Sequence, residues 1–234
     1  MVRYLLLYFS FLCIGAPAFS QQKWTVAQLF HKVEQHYENL KVYHYVSAYS
    51  FYENTNSKIP IEKKSGLIIR KNNVIYQKLT GIESINFGDY NVVVDNGEKK
   101  IQIVKNKSST SPLILNSYLN FFPTKKIIQN PDYWICELSA DKALLTSQYS
   151  RIRFFIAKKD FSLLKQVFYM NGTQEFKKNN KTVKINDPRL EITLLDRSDA
   201  KSVTPSLIRS DYFTIKDKKI KPSKRFATYK LITQ

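Results

Sequence analysis

Three histidines, two cysteines and 19 acidic residues are what this 234-residue chain offers for building a catalytic or metal centre. Their spacing does not favour one. His31 and His36 are five positions apart, which places them on different faces of a helix, whereas a chelating pair needs i, i+4. His44 belongs to a strand-like stretch. There is no HExxH, no DxDxDG loop and no second cysteine at zinc-binding spacing. The serines lack a GxSxG elbow, and six glycines spread along the chain form no phosphate loop. Glu34, Glu53, Glu83, Asp89, Asp132 and Asp141 are scattered, and a glycosidase pair is not legible from such spacing. The expectation is a protein that is not an enzyme, with no catalytic residue, no metal and no cofactor.

The chemistry the residues do favour is burial. In "VYHYVSAY", residues 42–49, Val42, His44, Val46 and Ala48 fall on one face of a strand. Tyr43, Tyr45, Ser47 and Tyr49 fall on the other, and Phe51 extends it. A strand on the surface of a sheet has a water face, and this one has none. Two readings account for it. Either the strand belongs to a curved sheet with a helix on one face and a ligand cavity on the other, or it is filled on both sides by side chains. Buried tyrosine hydroxyls need partners, so the tyrosine face is expected to line the roomier side.

Such a strand must be positioned by its neighbours. Residues 25–40 predict a helix, since Val26, Leu29, Phe30, Val33, Tyr37 and Leu40 form one apolar stripe. Thr25 and Gln28 make a capping box, and Trp24 and Leu29 are placed as a hydrophobic staple. The period then changes to two. Strands are predicted at 42–52, 61–70, 74–80, 91–95 and 100–105, with tight turns at "RKNNV" and "DNGE". In "SPLILNSYLNFFP" Ser111 can cap, Pro112 can open a helix and Pro123 ends it, which predicts a second, covering helix. Further strands are predicted at 133–139, 150–157, 163–170 and 190–195. Residues 177–188 read as a polar loop or exposed hairpin.

The first 20 residues read as a cleaved export signal. Arg3 precedes an apolar run, and Ala18-Phe19-Ser20 fits the cleavage pattern. Removal leaves Cys136 alone, so no internal disulfide forms, and its apolar neighbours Ile135 and Leu138 predict a buried thiol. The net charge is +18. "KRFATYK" interleaves lysine with aromatics, as in nucleic-acid sites, but export argues against nucleic acid. After export the charge fits anionic lipid, lipopolysaccharide, a surface glycan or an acidic protein, or equally a solvated basic surface with no such partner.

The order of elements resembles a known family. An export signal leads to an amphipathic helix and then a tyrosine-rich strand after Leu40-Lys41. Next come a strand with Gly66 and "IIRKNN", a hairpin around "VDNGEKK", a proline-opened helix, and strands ending in "LKQVFYMNG" and "RLEITLLD". Residues 24–196 thus resemble the LolA-like periplasmic lipoprotein carriers. The resemblance implies an α+β half-barrel, a curved antiparallel sheet with an N-terminal amphipathic helix and a second covering helix, and a cavity that receives acyl chains. The long basic stretch at 177–184 and the segment from 203 depart from that pattern.

The expected organisation is a signal at 1–20, a half-barrel at 21–202 and a basic extension at 203–234 packed on the body. The expected function is a periplasmic protein that binds an acyl chain or the lipid part of a lipoprotein. Val42, Tyr43, Tyr45, Val46, Tyr49 and Phe51 are the candidate core and cavity wall. Leu113, Leu115, Tyr118 and Phe122 are the candidate cover. The alternative is a structural module that docks an envelope partner through an edge strand or the basic tail.

Overall fold

The computed structural model describes residues 24–106, 115–140, 148–178, 181–196, 205–217 and 219–233. Helix α1, Val26–Asn39, begins where the sequence places its cap. The Thr25 backbone N–H donates to Gln28 Oε1 at 2.9 Å, and the Gln28 N–H donates to Thr25 Oγ1 at 3.2 Å. Two of the amides left over at the helix start are thereby satisfied. Val26, Leu29, Phe30, Val33 and Tyr37 form its buried face. Leu40 is extended and ends the helix.

The strands fall into two meanders. The first comprises β1 (Val42–Tyr52), β2 (Glu62–Lys71), β3 (Val74–Leu79), β4 (Ile82–Asn86), β5 (Tyr90–Asp95) and β6 (Lys100–Lys105). The second comprises β7 (Thr124–Gln129), β8 (Tyr133–Ser139), β9 (Tyr149–Ala157) and β10 (Leu163–Met170). An outlying hairpin, β11 (Thr173–Lys178) and β12 (Lys181–Asn186), follows β10, and β13 (Arg189–Asp196) returns to the sheet. A second small hairpin pairs β14 (Phe213–Lys216) with β15 (Lys219–Pro222), and β16 (Lys230–Thr233) is the last strand.

One 12-stranded sheet results, in the order β16-β6-β5-β4-β3-β2-β1-β13-β10-β9-β8-β7. It is antiparallel except where β16 joins β6, and it does not close on itself. The pairing of β1 with β13, from Tyr45↔Asp196 to Tyr52↔Arg189, joins the two meanders. Residues directly opposite one another share a face, so the register assigns every side chain to one side. Tyr43, Tyr45, Ile68, Ile192, Phe168, Phe154 and Trp134 lie on the α1 side and form one core with the helix. Ile69, Tyr76, Ile85, Val92 and Ile103 lie on the opposite side. They form a second core with Tyr212, Phe213 and Phe226, which are 0–1% exposed.

The segment from 205 onward is therefore core material. Tyr212 and Phe226 stack at 5.8 Å, and the Tyr212 hydroxyl donates to the Ser206 carbonyl at 2.9 Å. Glu83 is buried under the same segment, where it accepts from Asn96 Nδ2 at 3.1 Å and faces Arg225 at 3.4 Å. The basic stretch read as a polar loop or hairpin is the β11–β12 hairpin.

One expectation needs correction. The described part of "SPLILNSYLNFFP" is not a covering α-helix but a 3-10 turn over Asn116–Asn120. The Asn116 backbone N–H donates to Glu34 Oε1 at 2.9 Å and its side-chain amide donates to Glu34 Oε2 at 2.6 Å. That backbone donor is spent on α1, and Asn and Ser compete for backbone groups inside a helix. The "DNGE" turn joins β5 to β6 as read from the sequence; Asp95 Oδ1 accepts the Gly97 and Glu98 amides, each at 2.9 Å, and Lys99 takes the positive φ.

Truncating Phe226 to alanine is expected to cost about 3–5 kcal/mol, as for a fully buried ring. Truncating Ile215, 45% exposed on the β14–β15 hairpin, is expected to stay within about 0.5 kcal/mol. Urea unfolding of the two variants checks the difference.

Candidate functional site

The α1 side of β1 carries a tyrosine cluster. Tyr37 of the helix meets Tyr43 at 5.8 Å and Tyr45 at 6.1 Å, both edge-on. Tyr43 and Tyr45 lie 5.3 Å apart. The Tyr37 hydroxyl accepts the Leu163 N–H at 3.2 Å. The helix is thus tied to β10 through a hydroxyl and to β1 through ring contact.

Beside this cluster is a cavity of about 190 Å³. Tyr37, Tyr43, Tyr45 and Tyr49 line it together with Ile68, Leu163, Ile192 and Leu194, and Gln77 and Gln166 supply its amides. Gly66 of β2 pairs with Ser47 beside the cavity. A Cβ there would sit 2.5 Å from Ser47 Oγ, 2.9 Å from the Lys78 carbonyl oxygen and 3.2 Å from the Tyr49 ring. Glycine allows the tyrosine to lie close over β2. Ser47 is 1% exposed, and its hydroxyl has no hydrogen-bond partner.

Beyond the cavity the surface stays apolar on its β13 side, while on the β2 side Tyr49 and Phe51 pair with Lys64 and Glu62, themselves an ion pair at 3.0 Å. Tyr49 pairs with Ile192, and two residues on Phe51 pairs with Leu190 on the same face. Leu190 pairs with Phe168, whose ring lies 5.3 Å from Tyr149. From Tyr43 to Phe51 the track is about 27 Å long at the usual strand rise.

Charge is placed at the other end. Arg70 Nη1 donates to the Tyr37 carbonyl and Nε to the Asn72 carbonyl at 2.8 Å, which sets a cation against the last turn of α1. Burial pushes the Tyr43 hydroxyl up to about 12, against the opposing pull of Arg70. Burial also raises Tyr45, with Asp196 adding to it, and raises Tyr37 further still. These phenols are neutral at physiological pH and present a weakly polar, uncharged wall.

The outer face of the second meander has no aromatic cover among the described residues. It carries cross-strand ion pairs instead. Glu137 meets Arg153 at 2.6 Å and Glu191 meets Arg189 at 3.0 Å. Arg151 lies 3.9 Å over Tyr169, and Arg189 lies 4.1 Å over Tyr52.

Of the sequence candidates, Tyr43, Tyr45 and Tyr49 line the cavity and Phe51 continues its wall. Val42 is 66% exposed. Val46 pairs with Leu67 and Leu195 on the face away from α1. Leu115 and Phe122 are buried in the α1-side core, and Tyr118 packs on Phe154 at 5.5 Å, so this stretch fills the core beside the cavity. Leu113 lies outside the described residues. The tyrosine face meets both the helix and the cavity, whereas His44 lies on the opposite side. The sequence reading did not name Ile68, Gln77, Leu163, Gln166, Ile192 or Leu194. Their signal is the alternation in "GLII" and "LEITLL", which shows two faces without showing which strand each face joins.

No group of three or more possible metal ligands occurs among the described residues. Cys136 is buried, and burial pushes its thiol up to about 12, far from a reactive thiolate. No described helix is long and apolar enough to cross a membrane.

No family model and no curated protein matches the chain. Solved structures of similar fold include an uncharacterized conserved protein from Thermus thermophilus, at 8% identity and a TM-score of 0.45, over 89% of this chain and 98% of that one. A LolA superfamily protein from Nitrosomonas europaea is similar at 11% identity and a TM-score of 0.32, over 74% and 93%. The lipoprotein LppX from Mycobacterium tuberculosis is similar at 10% identity and a TM-score of 0.35, over 73% and 95%. The likeness is remote in both sequence and shape.

Alkali tests the tyrosine cluster. A phenol whose pKa is higher in the folded state than in the unfolded one stabilises fully below the unfolded value, about 10, and this contribution is lost as pH rises through the folded value. For Tyr43 that window runs from pH 10 to about 12. Denaturant unfolding across this range is expected to show falling stability, and Tyr43→Phe is expected to flatten the slope.

Proposed function

We propose that this protein, after export, binds a slim apolar ligand in the groove between α1 and the sheet. A single acyl chain, free or attached to a lipid or lipoprotein, fits the groove best. The observation that carries the reading is the continuity of the 190 Å³ tyrosine-lined cavity with the apolar track through Phe51 and Leu190.

Magnitudes narrow the ligand. The track, about 27 Å long, exceeds the ~15 Å of hydrocarbon in one bilayer leaflet, half of the ~30 Å core. The cavity is little larger than the ~150 Å³ void known to hold one benzene, and it falls below the ~300–1,000 Å³ of drug-sized pockets. One chain with its distal part enclosed and the rest along the open track satisfies both figures. Several chains side by side do not.

No reacting group is required. Each methylene removed from water contributes about 0.8 kcal/mol, so ten contribute about 8 kcal/mol, equivalent to a dissociation constant of about 1 µM before ordering costs. The neutral phenols and amides let a chain slide, which suits a carrier that must release its cargo.

Native mass spectrometry of the purified mature protein is expected to show bound lipid. A fluorescent fatty acid is expected to bind, with Leu194→Trp weakening it at least tenfold at unchanged melting temperature. If no lipid co-purifies and the fatty acid does not bind, the reading fails.

A further inference from the structure

The register places a set of connections at one end of the sheet. Thr124, Ser139, Arg151, Tyr169, Arg189 and Tyr52 form one row across β7, β8, β9, β10, β13 and β1. Beyond that row lie the β1–β2 loop, the β11–β12 hairpin and the turn that leads into β7. The apolar track through Phe51 and Leu190 runs toward this same end. The Tyr37–Leu163 bond ties α1 to the strand ends on the far side.

This rim exposes apolar side chains on built supports. Ile59 is 81% exposed on the β1–β2 loop. The loop is held from within, since Asn54 Oδ1 accepts the Asn56 and Ser57 amides, each at 2.9 Å. It is also held from outside, because Arg189 donates to the Thr55 carbonyl and, at 2.9 Å, to the Ser57 carbonyl. Phe121 is 70% exposed just before β7, on a turn anchored to α1 through Asn116 and Glu34. Val183 on the hairpin is 41% exposed. Folding leaves large apolar groups in water at a cost, and here the backbone near Ile59 and Phe121 is held by those bonds.

The charge around these tips is mixed, with a basic excess: Glu53 and Lys58 lie on the β1–β2 loop, and Asp187 closes the base of the hairpin, where it accepts the Gly172 N–H at 2.8 Å. Residues 173–186 carry four lysines against one glutamate, and β7 opens with Lys125 and Lys126. The tips are far apart. Phe121 and Ile59 are separated by the five strand spacings from β7 to β1, about 24 Å of sheet. Spaced apolar tips on a rim with a net basic balance suit a broad, flat, negatively charged and penetrable surface better than they suit a peptide in a groove.

We infer that this end of the sheet docks on an anionic phospholipid bilayer, with Ile59 and Phe121 inserted at the headgroup boundary and the β11–β12 hairpin lying over the lipid phosphates. The inference rests on the acyl-binding reading and deepens it, because docking sets the open end of the track against the source of the chain.

The test uses the mature protein with vesicles of phosphatidylglycerol and phosphatidylcholine, and with vesicles of phosphatidylcholine alone. Co-sedimentation is expected with the anionic vesicles and to weaken with salt. Ile59→Asp combined with Phe121→Asp is expected to weaken it at least tenfold, while Ile215→Asp on the other basic hairpin leaves it unchanged. A polarity-sensitive dye on Ile59→Cys, with Cys136 protected by burial, is expected to shift to the blue when anionic vesicles are added. Leu194→Trp is expected to keep vesicle binding, which separates docking from ligand capture. Equal binding to neutral vesicles, full binding by the double variant, loss of binding in Ile215→Asp alone, or an unshifted dye would each overturn the inference. If docking fails while the fatty acid still binds, the acyl-binding reading stands without it.

Discussion

The whole molecule depends on covering both faces of β1 and β2. Where Tyr43 to Ser47 of β1 pair with Gly66 to Arg70 of β2, apolar side chains occur on both faces, and both need cover. Helix α1 supplies one cover and the segment around Tyr212, Phe213 and Phe226 supplies the other. The two covers are offset along the sheet. The helix lies over the second meander and β1, while the later segment lies over β2 to β6. Strands β1 and β2 lie where the cores overlap, and that is why they read as greasy on both sides. The cavity forms at the same crossing, where the helix gives out and the α1 side of the sheet opens toward Gln77.

What was legible in the sequence was local. The helix could be read because its cap and stripe lie within 16 residues of one another. Most strands could be read because alternation needs no partner. Strand β4 could not, since its pattern is inverted: Ile82 is 49% exposed while Glu83 is buried. The group that makes a buried Glu83 tolerable is Arg225, 142 residues away. Strand β7 was missed because an edge strand has a single neighbour and half its positions remain polar. The covering helix was overcalled because Glu34, on another element, captures the amide of Asn116.

The site divides the same way. The tyrosines were found because they share one strand. The opposite wall was not, because it depends on β13 pairing with β1, a contact spanning about 150 residues that no periodicity encodes. The two outer faces show a similar division of labour. Over β2 to β6 the outer face is apolar and needs the later segment. Over β8, β9, β10 and β13 it is paired charge stacked on Tyr169 and Tyr52, which tolerates water unaided.

The parallel pairing of β16 with β6 sets a timetable. β6 is synthesised long before β16, and the apolar side of β2 to β6 gains Tyr212 and Phe226 only when those residues have left the ribosome. Until then the first meander has one greasy face and no lid, and β1 lacks β13. Contacts of such long sequence separation form slowly and leave intermediates prone to aggregate. A chain of this design gains by collapsing once, with all its parts present.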